Sequence, residues 1–399
     1  MLVSLALILL IGLAMSALCQ KLKLPGIIGM LVTGMVLGPF VLDLLDPSIL
    51  SISAELRKIA LIIVLIKAGL SLDLEDLKKV GRPAILLSFL PACFEILAYV
   101  IFAPKIFGLS RVEAALMGAV LGAVSPAVVV PRMVKLMDER YGTKEGIPQM
   151  ILAGASMDDI FVIVLFTSFL SMAQGGSLEF KDFLDVPTSI ILGIGLGAIV
   201  GYVLYLFFEN LFKKDKVVRN SMKVIIVLAV SFLLTGVEDM LKGKIAVSGL
   251  LAVVAMASVL KIKSTDFVTR RLAEKFGKLW LGAEIMLFVL VGAAVDIRYT
   301  LKAGLPALLM ILLALLIRTL GVLIATAKTH LSKKERLFCV LSYLPKATVQ
   351  AAIGSVPLAA GLACGNIILS VAVMAIIITA PLGAFAMDSS YKKLLKKEI

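Results

Sequence analysis

The sequence predicts an all-α polytopic membrane protein with about thirteen transmembrane helices, inverted-topology repeats and two broken helices that cross. Three observations support this fold class. Of the 399 residues, 60% are hydrophobic and only 17% are charged, and the mean hydropathy is +1.06. Apolar runs of about twenty residues, long enough to cross a bilayer as helices, recur along the whole chain. Two parts of the chain also match each other at a constant spacing.

Thirteen apolar spans follow one another along the chain. They lie at residues 2–19, 24–42, 55–72, 83–104, 112–135, 148–173, 187–212, 220–237, 245–260, 278–297, 303–327, 336–360 and 366–387. The first span lacks both a basic segment before it and a convincing cleavage site. We therefore expect a retained helix there rather than a signal peptide.

Lysine and arginine are unevenly divided between the two sides of these spans. The side that includes the basic C-terminal tail, residues 389–399, holds 28 of them, and the opposite side holds 9. Because basic loops stay in the cytoplasm, we expect a protein of the cell (inner) membrane with its N-terminus outside the cell and its C-terminal tail in the cytoplasm. The net charge of +13 is then a signal of topology and does not indicate a nucleic-acid partner.

Residue types that many enzymes and metalloproteins need are scarce. His330 is the only histidine, which excludes a histidine-based metal site and a histidine-containing catalytic triad. The four cysteines are scattered without metal-ligand spacing, and we interpret them as small apolar residues. No glycine-rich ATP-binding loop accompanies the spans, which argues against a primary pump. We expect a protein that is not an enzyme and needs no cofactor.

Two halves of the chain match at an offset of 223 residues. The matched pairs are Gly81 and Gly304, Gly69 and Gly292, Asp73 and Asp296, and, after a short deletion, Pro126 and Pro345. The second copy begins seven spans after the first, and an odd number of crossings reverses its direction through the membrane. Inverted-topology repeats of this kind are typical of secondary transporters.

Seven ionisable residues lie within spans instead of loops. They are Lys67, Glu95, Asp158, Asp159, Glu284, Arg318 and Lys346. Each costs roughly 3 kcal/mol near the bilayer centre on insertion scales, so each needs a reason to be there. Lys67 and Glu284 lie close enough to the cytoplasmic ends of their spans for an interfacial position to explain them.

The adjacent carboxylates Asp158 and Asp159 lie at the middle of the sixth span. Neighbouring positions on a helix point about 100° apart, so one carboxylate can face a cavity while the other faces a packed helix. Close carboxylates in a poorly solvated site hold either a proton or a small hard cation such as Na⁺ or Li⁺. Competition for one such site is sufficient for exchange. A purely structural pair, bonded to neighbouring polar groups, is the alternative interpretation.

Prolines interrupt the fifth and twelfth spans at Ser125-Pro126 and at Pro345-Lys346. Proline removes a backbone donor and breaks the helix, and broken helices at membrane depth line a cavity or are buried in protein. Lys346 is expected to neutralise the exposed carbonyl ends, or to hold one of the two aspartates when no cation is bound.

Glu95 and Arg318 occupy equivalent positions of the two repeats, 223 residues apart. Equivalent positions on inverted copies lie at similar depth, and here they have opposite charges. We expect the two side chains to form an ion pair. Arginine keeps its proton in proteins, so Arg318 is expected to be a fixed charge and not a proton carrier.

Three motifs surround these residues: Ala-Ser-Met-Asp158-Asp159-Ile, Ala-Val-Ser125-Pro126-Ala and Leu-Pro345-Lys346-Ala-Thr348-Val-Gln350-Ala-Ala. In these motifs the sequence resembles the monovalent cation/proton antiporter superfamily, and most closely its NHA branch, with bacterial NapA-type relatives. The glycine-rich segment 24–39 and the segment Lys67-Ala-Gly-Leu-Ser-Leu-Asp73 also fit, and the similarity extends over nearly the whole chain.

The resemblance implies an NhaA/NapA-like fold and a homodimer. A core, residues 81–175 and 303–388, would move against a scaffold, residues 1–80 and 219–302, with residues 186–212 as the linker. Asp159 would be the principal cation and proton ligand, with Asp158 as its partner. Thr348 and backbone near Ser125 would be auxiliary ligands. Similar proteins with two acidic residues often have a lysine where Arg318 stands, so the proton stoichiometry and the electrogenicity stay open.

The function expected from these features is exchange of Na⁺ or Li⁺ for H⁺ by alternating access. A K⁺/H⁺ antiporter and a sodium-coupled symporter of an organic solute are the alternatives within transport. An intramembrane aspartyl protease would need two carboxylates that converge from separate helices, whereas adjacent residues on one helix diverge. A channel would need a continuous polar pathway through the spans.

Overall fold

The computed structural model of the protein describes residues 1–22, 24–70, 81–175, 180–213, 219–241 and 247–398. These residues are helical apart from short connections and one isolated bridge between Tyr141 and Lys397. The predicted all-α class is therefore confirmed. Asp73, which the repeat matched to Asp296, lies outside the described residues.

The first half of the chain forms nine helices within the described residues. They are α1 (Leu2–Lys21), α2 (Gly26–Leu37), α3 (Pro47–Ser51), α4 (Ser53–Leu70), α5 (Arg82–Leu87), α6 (Leu90–Phe107), α7 (Arg111–Gly122), α8 (Pro126–Asp138) and α9 (Ile147–Gln174). Asp46 is the N-cap of the short helix α3, and its side chain accepts a hydrogen bond from the backbone of Ser48 at 2.8 Å. The cap starts a short helix inside the predicted loop between the second and third spans.

The second half forms nine more helices within the described residues. They are α10 (Phe180–Lys213), α11 (Asn220–Leu241), α12 (Gly249–Lys263), α13 (Asp266–Ala293), α14 (Ile297–Ala325), α15 (Lys333–Ser342), α16 (Thr348–Gly354), α17 (Val356–Ala359) and α18 (Gly365–Leu394). Over all described residues, nine segments are long and apolar enough to cross a membrane, and two shorter apolar segments accompany them. The count of thirteen spans stays a prediction.

Both predicted interruptions are confirmed. Residues 123–125 separate α7 from α8, and residues 343–347 separate α15 from α16. The two breaks meet, because the backbone N–H of Ser125 donates a hydrogen bond of 2.8 Å to the carbonyl of Pro345. The broken helices of the two repeats therefore cross at the points where each loses its regular hydrogen bonds.

Each broken helix begins with the same capping box. The Ser110 hydroxyl accepts from the backbone of Glu113, whose carboxylate accepts in return from the Ser110 backbone. Ser332 and Glu335 repeat this arrangement 222 residues later, at the start of α15. The boxes satisfy two otherwise unpaired donors at equivalent places in the two repeats.

The fourth predicted span, 83–104, is not one uninterrupted helix. Helix α5 ends at Leu87 and α6 begins at Leu90, with Pro91 at its second position. Proline has no N–H, and its ring collides with the carbonyl four residues earlier in a continuous helix. That carbonyl belongs to Leu87, the last residue of α5.

The chain divides into two compact units by its contacts. The first includes residues 1–57, 73–169 and 285–399 and contains both broken helices. In this unit α6 packs along α14, and α18 packs against α15 and α16. Glycine allows the closest of these approaches. Gly383 of α18 faces the Pro345 ring, and a Cβ built on it would lie 2.4 Å from the proline Cγ.

The second unit includes residues 58–72 and 170–284. Three glycines at four-residue spacing on α10 lie against backbone atoms of α12. Cβ atoms built on Gly193, Gly197 and Gly201 would lie 2.7, 2.2 and 2.6 Å from the carbonyl oxygens of residues 248, 252 and 256, in that order. Small residues at this spacing let membrane helices approach backbone to backbone.

The last helix extends beyond its predicted end at residue 387 to Leu394. The chain then turns onto the loop between α8 and α9, where Gly142 donates to the carbonyl of Lys396 at 2.8 Å. The Tyr391 hydroxyl donates to Glu139 at 2.9 Å, and its ring meets Tyr141 edge-on. The first residues of the predicted basic tail, 389–394, therefore belong to α18, and the tail contacts the loop between α8 and α9.

We predict that Gly383→Ala lowers the stability of the protein, because the new methyl group must displace Pro345 at the second break. Overpacking of this kind costs about 1–3 kcal/mol. Gly304→Ala is the matched control, since a Cβ there meets nothing within 4 Å. It removes backbone freedom from a helix and should stabilise by about 0.5–1 kcal/mol. Melting temperatures in detergent that rank the two variants the other way would contradict this packing.

Candidate functional site

The adjacent carboxylates lie at the middle of α9 and differ in their surroundings. Asp158 is completely buried. Asp159 is half-buried as a residue, although its Oδ1 atom is enclosed. Neither Oδ1 atom has a hydrogen-bond partner among the described residues. The rotation of about 100° between successive helix positions explains why the two side chains face different neighbours.

Asp158 is held through one oxygen. Its Oδ2 accepts a hydrogen bond of 2.7 Å from the backbone N–H of Val124, in the first break, and one of 3.4 Å from Arg318. The other oxygen is enclosed and unpartnered among the described residues, which is costly for a carboxylate unless something else binds it. The arrangement leaves one oxygen atom of Asp158 available to a ligand.

Glu95 of α6 is shared by two cations. Its Oε2 lies 2.5 Å from Arg318 of α14 and 2.6 Å from the Lys346 ammonium in the second break. All three side chains are at most 2% exposed. The structure therefore pairs the two repeat-equivalent residues, as expected, and adds Lys346 to the same carboxylate.

The carbonyl end of α7 is covered by the same cations. Arg318 donates to the carbonyl of Gly122, and Lys346 donates to that of Ala123 at 3.2 Å. The last carbonyls of a helix have no partner within the helix and form its negative end. Buried cations at this end offset that charge and satisfy the acceptors together.

Arg318 also reaches the second broken helix. Its Nε donates to the carbonyl of Tyr343 at 2.9 Å, and the guanidinium lies 5.6 Å from the centre of the Tyr343 ring. One side chain thus contacts Glu95, Asp158 and both breaks. The planar, five-donor guanidinium is suited to such a position, whereas a lysine, with its donors on one nitrogen atom, could not make all of these contacts.

The remaining predicted ligands lie at the two breaks. Ser125 is the residue before α8, and its buried hydroxyl oxygen has no partner among the described residues. Thr348 is the first residue of α16 and is buried. Pro126 and Pro345 mark the start of α8 and the break before α16, respectively. The other intraspan charges, Lys67 and Glu284, belong to the second unit, where Lys67 is exposed and lies 5.9 Å from the Trp280 ring.

Two polar residues that the sequence reasoning did not single out also support the breaks. Gln350 accepts from the backbone of Ala347 and donates to the carbonyl of Ala123, both at 2.8 Å. Thr379 of α18 accepts from the backbone N–H of Lys346 at 2.9 Å. Gln350 lies three residues after Ala347, the N-cap of α16, which is the position of the glutamine in a capping box, but the usual serine or threonine at the N-cap is replaced by alanine.

We predict that Glu95→Gln destabilises the protein strongly, because it leaves two buried cations facing each other without their carboxylate. Breaking a buried pair in this way costs about 3–5 kcal/mol. Glu274→Gln is the control, since Glu274 pairs with Arg270 at 3.3 Å on the surface. An exposed pair contributes at most about 1 kcal/mol. Equal losses of melting temperature in detergent for the two variants would contradict the buried cluster.

Comparisons with known proteins cover almost the whole chain. A family model described as "Sodium/hydrogen exchanger, transmembrane" matches residues 5–387. The chain is 33% identical to sodium/hydrogen exchanger 9B2 of Homo sapiens, over 94% of this chain and 70% of that protein. It is 33% identical to the 9B2 exchanger of Xenopus tropicalis, over 86% of this chain and 64% of that protein. The chain thus spans about two thirds of the length of these relatives.

The fold is similar to that of a solved transporter. The structure of the sodium proton antiporter MjNhaP1 from Methanocaldococcus jannaschii at pH 8 matches with a TM-score of 0.83. The match covers 98% of this chain and 97% of that chain, at 23% sequence identity. At this identity the likeness shows a common fold, which agrees with the predicted fold class.

Proposed function

The chain belongs to the sodium/hydrogen exchanger family, and we propose that it exchanges Na⁺ or Li⁺ for H⁺ at Asp158 and Asp159. Members of this family are transporters and not enzymes, so the protein is a multi-pass membrane transporter. We propose the identity of the exchanged ions, the position of the binding site and the transport mechanism. They follow from the charges and the unpartnered oxygen atoms around α9.

The observation that supports the proposal best is an unbalanced charge in the buried cluster. Two cations, Arg318 and Lys346, are grouped with Glu95 and Asp158, so these four side chains balance when ionised. Asp159 adds one further negative charge beside them. A single excess charge in a poorly hydrated site is costly, and either one proton or one monovalent cation removes it.

The oxygen atoms at the site suit a small alkali ion. The Oδ1 atoms of Asp158 and Asp159 and the hydroxyl of Ser125 are enclosed and lack hydrogen-bond partners among the described residues. Carboxylate and hydroxyl oxygens are the ligands that hard cations prefer. We assign Asp159 as the principal ligand, Asp158 as its partner and Thr348 as an auxiliary ligand. Arg318 stays a fixed charge.

Transport then follows from competition within an alternating-access cycle. A carboxylate that cannot stay bare binds a proton when protons are abundant and a cation when they are scarce. If the loaded site opens in turn to each side, a proton gradient drives cation export. We propose that residues 81–175 and 303–388 form the moving core, that two chains form a homodimer, and that the N-terminus lies outside the cell membrane.

The central experiment uses proteoliposomes with an imposed pH gradient and a pH-sensitive dye. We predict that Na⁺ or Li⁺ dissipates the gradient in the wild type and that Asp159→Asn abolishes the response, because the excess charge is gone. Asp388→Asn is the control, since Asp388 forms an exposed pair with Arg132 at 3.0 Å. It should retain transport.

Three outcomes would count against this proposal. A strong response in Asp159→Asn would reject exchange at this site. A wild-type response to K⁺ alone would favour the K⁺/H⁺ alternative. A response that also requires an organic solute would favour a sodium-coupled symporter.

We further predict electroneutral exchange, because one excess charge is neutralised by one ion of either kind. Transport rates in proteoliposomes should be equal with and without a membrane potential clamped by K⁺ and valinomycin. A rate that rises several-fold under the clamp would mean that more than one proton moves per cation. In that case a second member of the cluster would also release a proton.

A further inference from the structure

We propose that Gln350 is a positioning residue for ion exchange, which holds the Ala123–Val124 peptide group so that its N–H binds Asp158. The inference rests on the proposed exchange at Asp158 and Asp159. It adds a residue from the second repeat that acts on the site through the backbone of the first repeat. Gln350 itself does not need to touch the transported ion.

The side-chain amide of Gln350 joins the two breaks. Its Oε1 accepts from the N–H of Ala347, just before α16, at 2.8 Å. Its Nε2 donates to the carbonyl of Ala123 at 2.8 Å and to that of Leu121 at 3.4 Å. The residue is completely buried, so all of these bonds are made away from water. Because the donors and the acceptor have different partners, the orientation of the amide is fixed.

The acceptor and the aspartate contact belong to one rigid group. The carbonyl of Ala123 and the N–H of Val124 are the two ends of the same planar peptide unit. The carbonyl accepts from Gln350, and the N–H donates to Asp158 Oδ2 at 2.7 Å. Rotating this plane away from Gln350 would therefore also turn the donor away from Asp158.

This peptide has no helix to hold it. Helix α7 ends at Gly122 and α8 begins at Pro126, so the unit lies in the extended break, with ψ of 146° at Ala123. Lys346 also donates to the Ala123 carbonyl, but at 3.2 Å, and its ammonium is 2.6 Å from Glu95. The bond from Gln350 to the Ala123 carbonyl is thus the shorter of the two. Glu95 binds the Lys346 ammonium but does not bind the Gln350 amide.

The held peptide group gives the two carboxylate oxygens of Asp158 different roles. With Oδ2 held by Val124 and Arg318, the carboxylate cannot rotate freely, and Oδ1 is presented to the ligand. A hydrogen bond to the carbonyl also polarises the peptide, which strengthens the bond that its N–H donates. Loss of Gln350 should therefore weaken cation binding while the charges of the cluster stay unchanged.

The test compares Gln350→Met, which keeps the length of the side chain without donors, with Gln149→Met. Gln149 lies in the first turn of α9, and its buried Oε1 has no partner among the described residues. In proteoliposomes, the Na⁺ dependence of gradient dissipation gives KM and the maximal rate. We expect KM to rise about 3- to 10-fold in Gln350→Met, the factor that one neutral hydrogen bond represents. The maximal rate should change much less.

Gln350→Asn is the second variant. It keeps a buried amide but is one methylene too short to bridge both breaks, so its KM should lie between those of the wild type and Gln350→Met. Gln149→Met should keep the wild-type KM. This ordering supports a positioning role, which a general loss of folded protein cannot imitate, because that would lower only the maximal rate.

Several results would overturn the inference. A wild-type KM in both variants, or a lower maximal rate with KM unchanged, would assign Gln350 to the fold alone, as would failure of both variants to fold. If wild-type protein shows no exchange with any monovalent cation, the proposed function itself is wrong. Active wild type with unaffected Gln350 variants would reject only the role of Gln350.

Discussion

The structure around the breaks depends on one shared carboxylate. Glu95 receives both Arg318 and Lys346, and without it two buried cations would face each other in the membrane interior. Each of these cations also covers a carbonyl at the end of α7. The interaction therefore solves two problems of membrane proteins together: the cost of buried charge and the unpaired backbone of a broken helix. Glu95 balances only one of the two cations, so Asp158, whose Oδ2 lies 3.4 Å from Arg318, supplies the second negative charge.

The inverted repeat explains why this interaction forms. Equivalent positions of the two copies lie at similar depth, so Glu95 and Arg318 meet on adjacent helices, and the two breaks meet through Ser125 and Pro345. Equivalent capping boxes start both broken helices. The buried charges differ between the copies, since the first provides Glu95, Asp158 and Asp159 and the second provides Arg318 and Lys346.

Sequence reasoning was effective where a residue type is expensive in a membrane. Charges within spans, prolines within spans and the constant offset predicted the breaks at Pro126 and Pro345 and placed Glu95 opposite Arg318. It was less effective for neutral polar residues. Gln350 and Thr379 have no charge that marks them in the sequence, and their contacts with the breaks are what distinguish them from other polar residues in the spans. The sequence predicts residues 83–104 as one continuous span because a proline such as Pro91 is also compatible with the first turn of a helix, so it does not by itself indicate a break.

The glycine contact between α10 and α12 has a mechanical consequence. No side chain separates the two backbones at Gly193, Gly197 and Gly201, so the two helices are in direct backbone contact along two turns. Sliding one along the other by less than a full turn would drive carbonyl oxygens into the opposing main chain. Helices α10 and α12 are therefore expected to behave as one stiff unit, in which bending is easier at the ends than along the glycine contact.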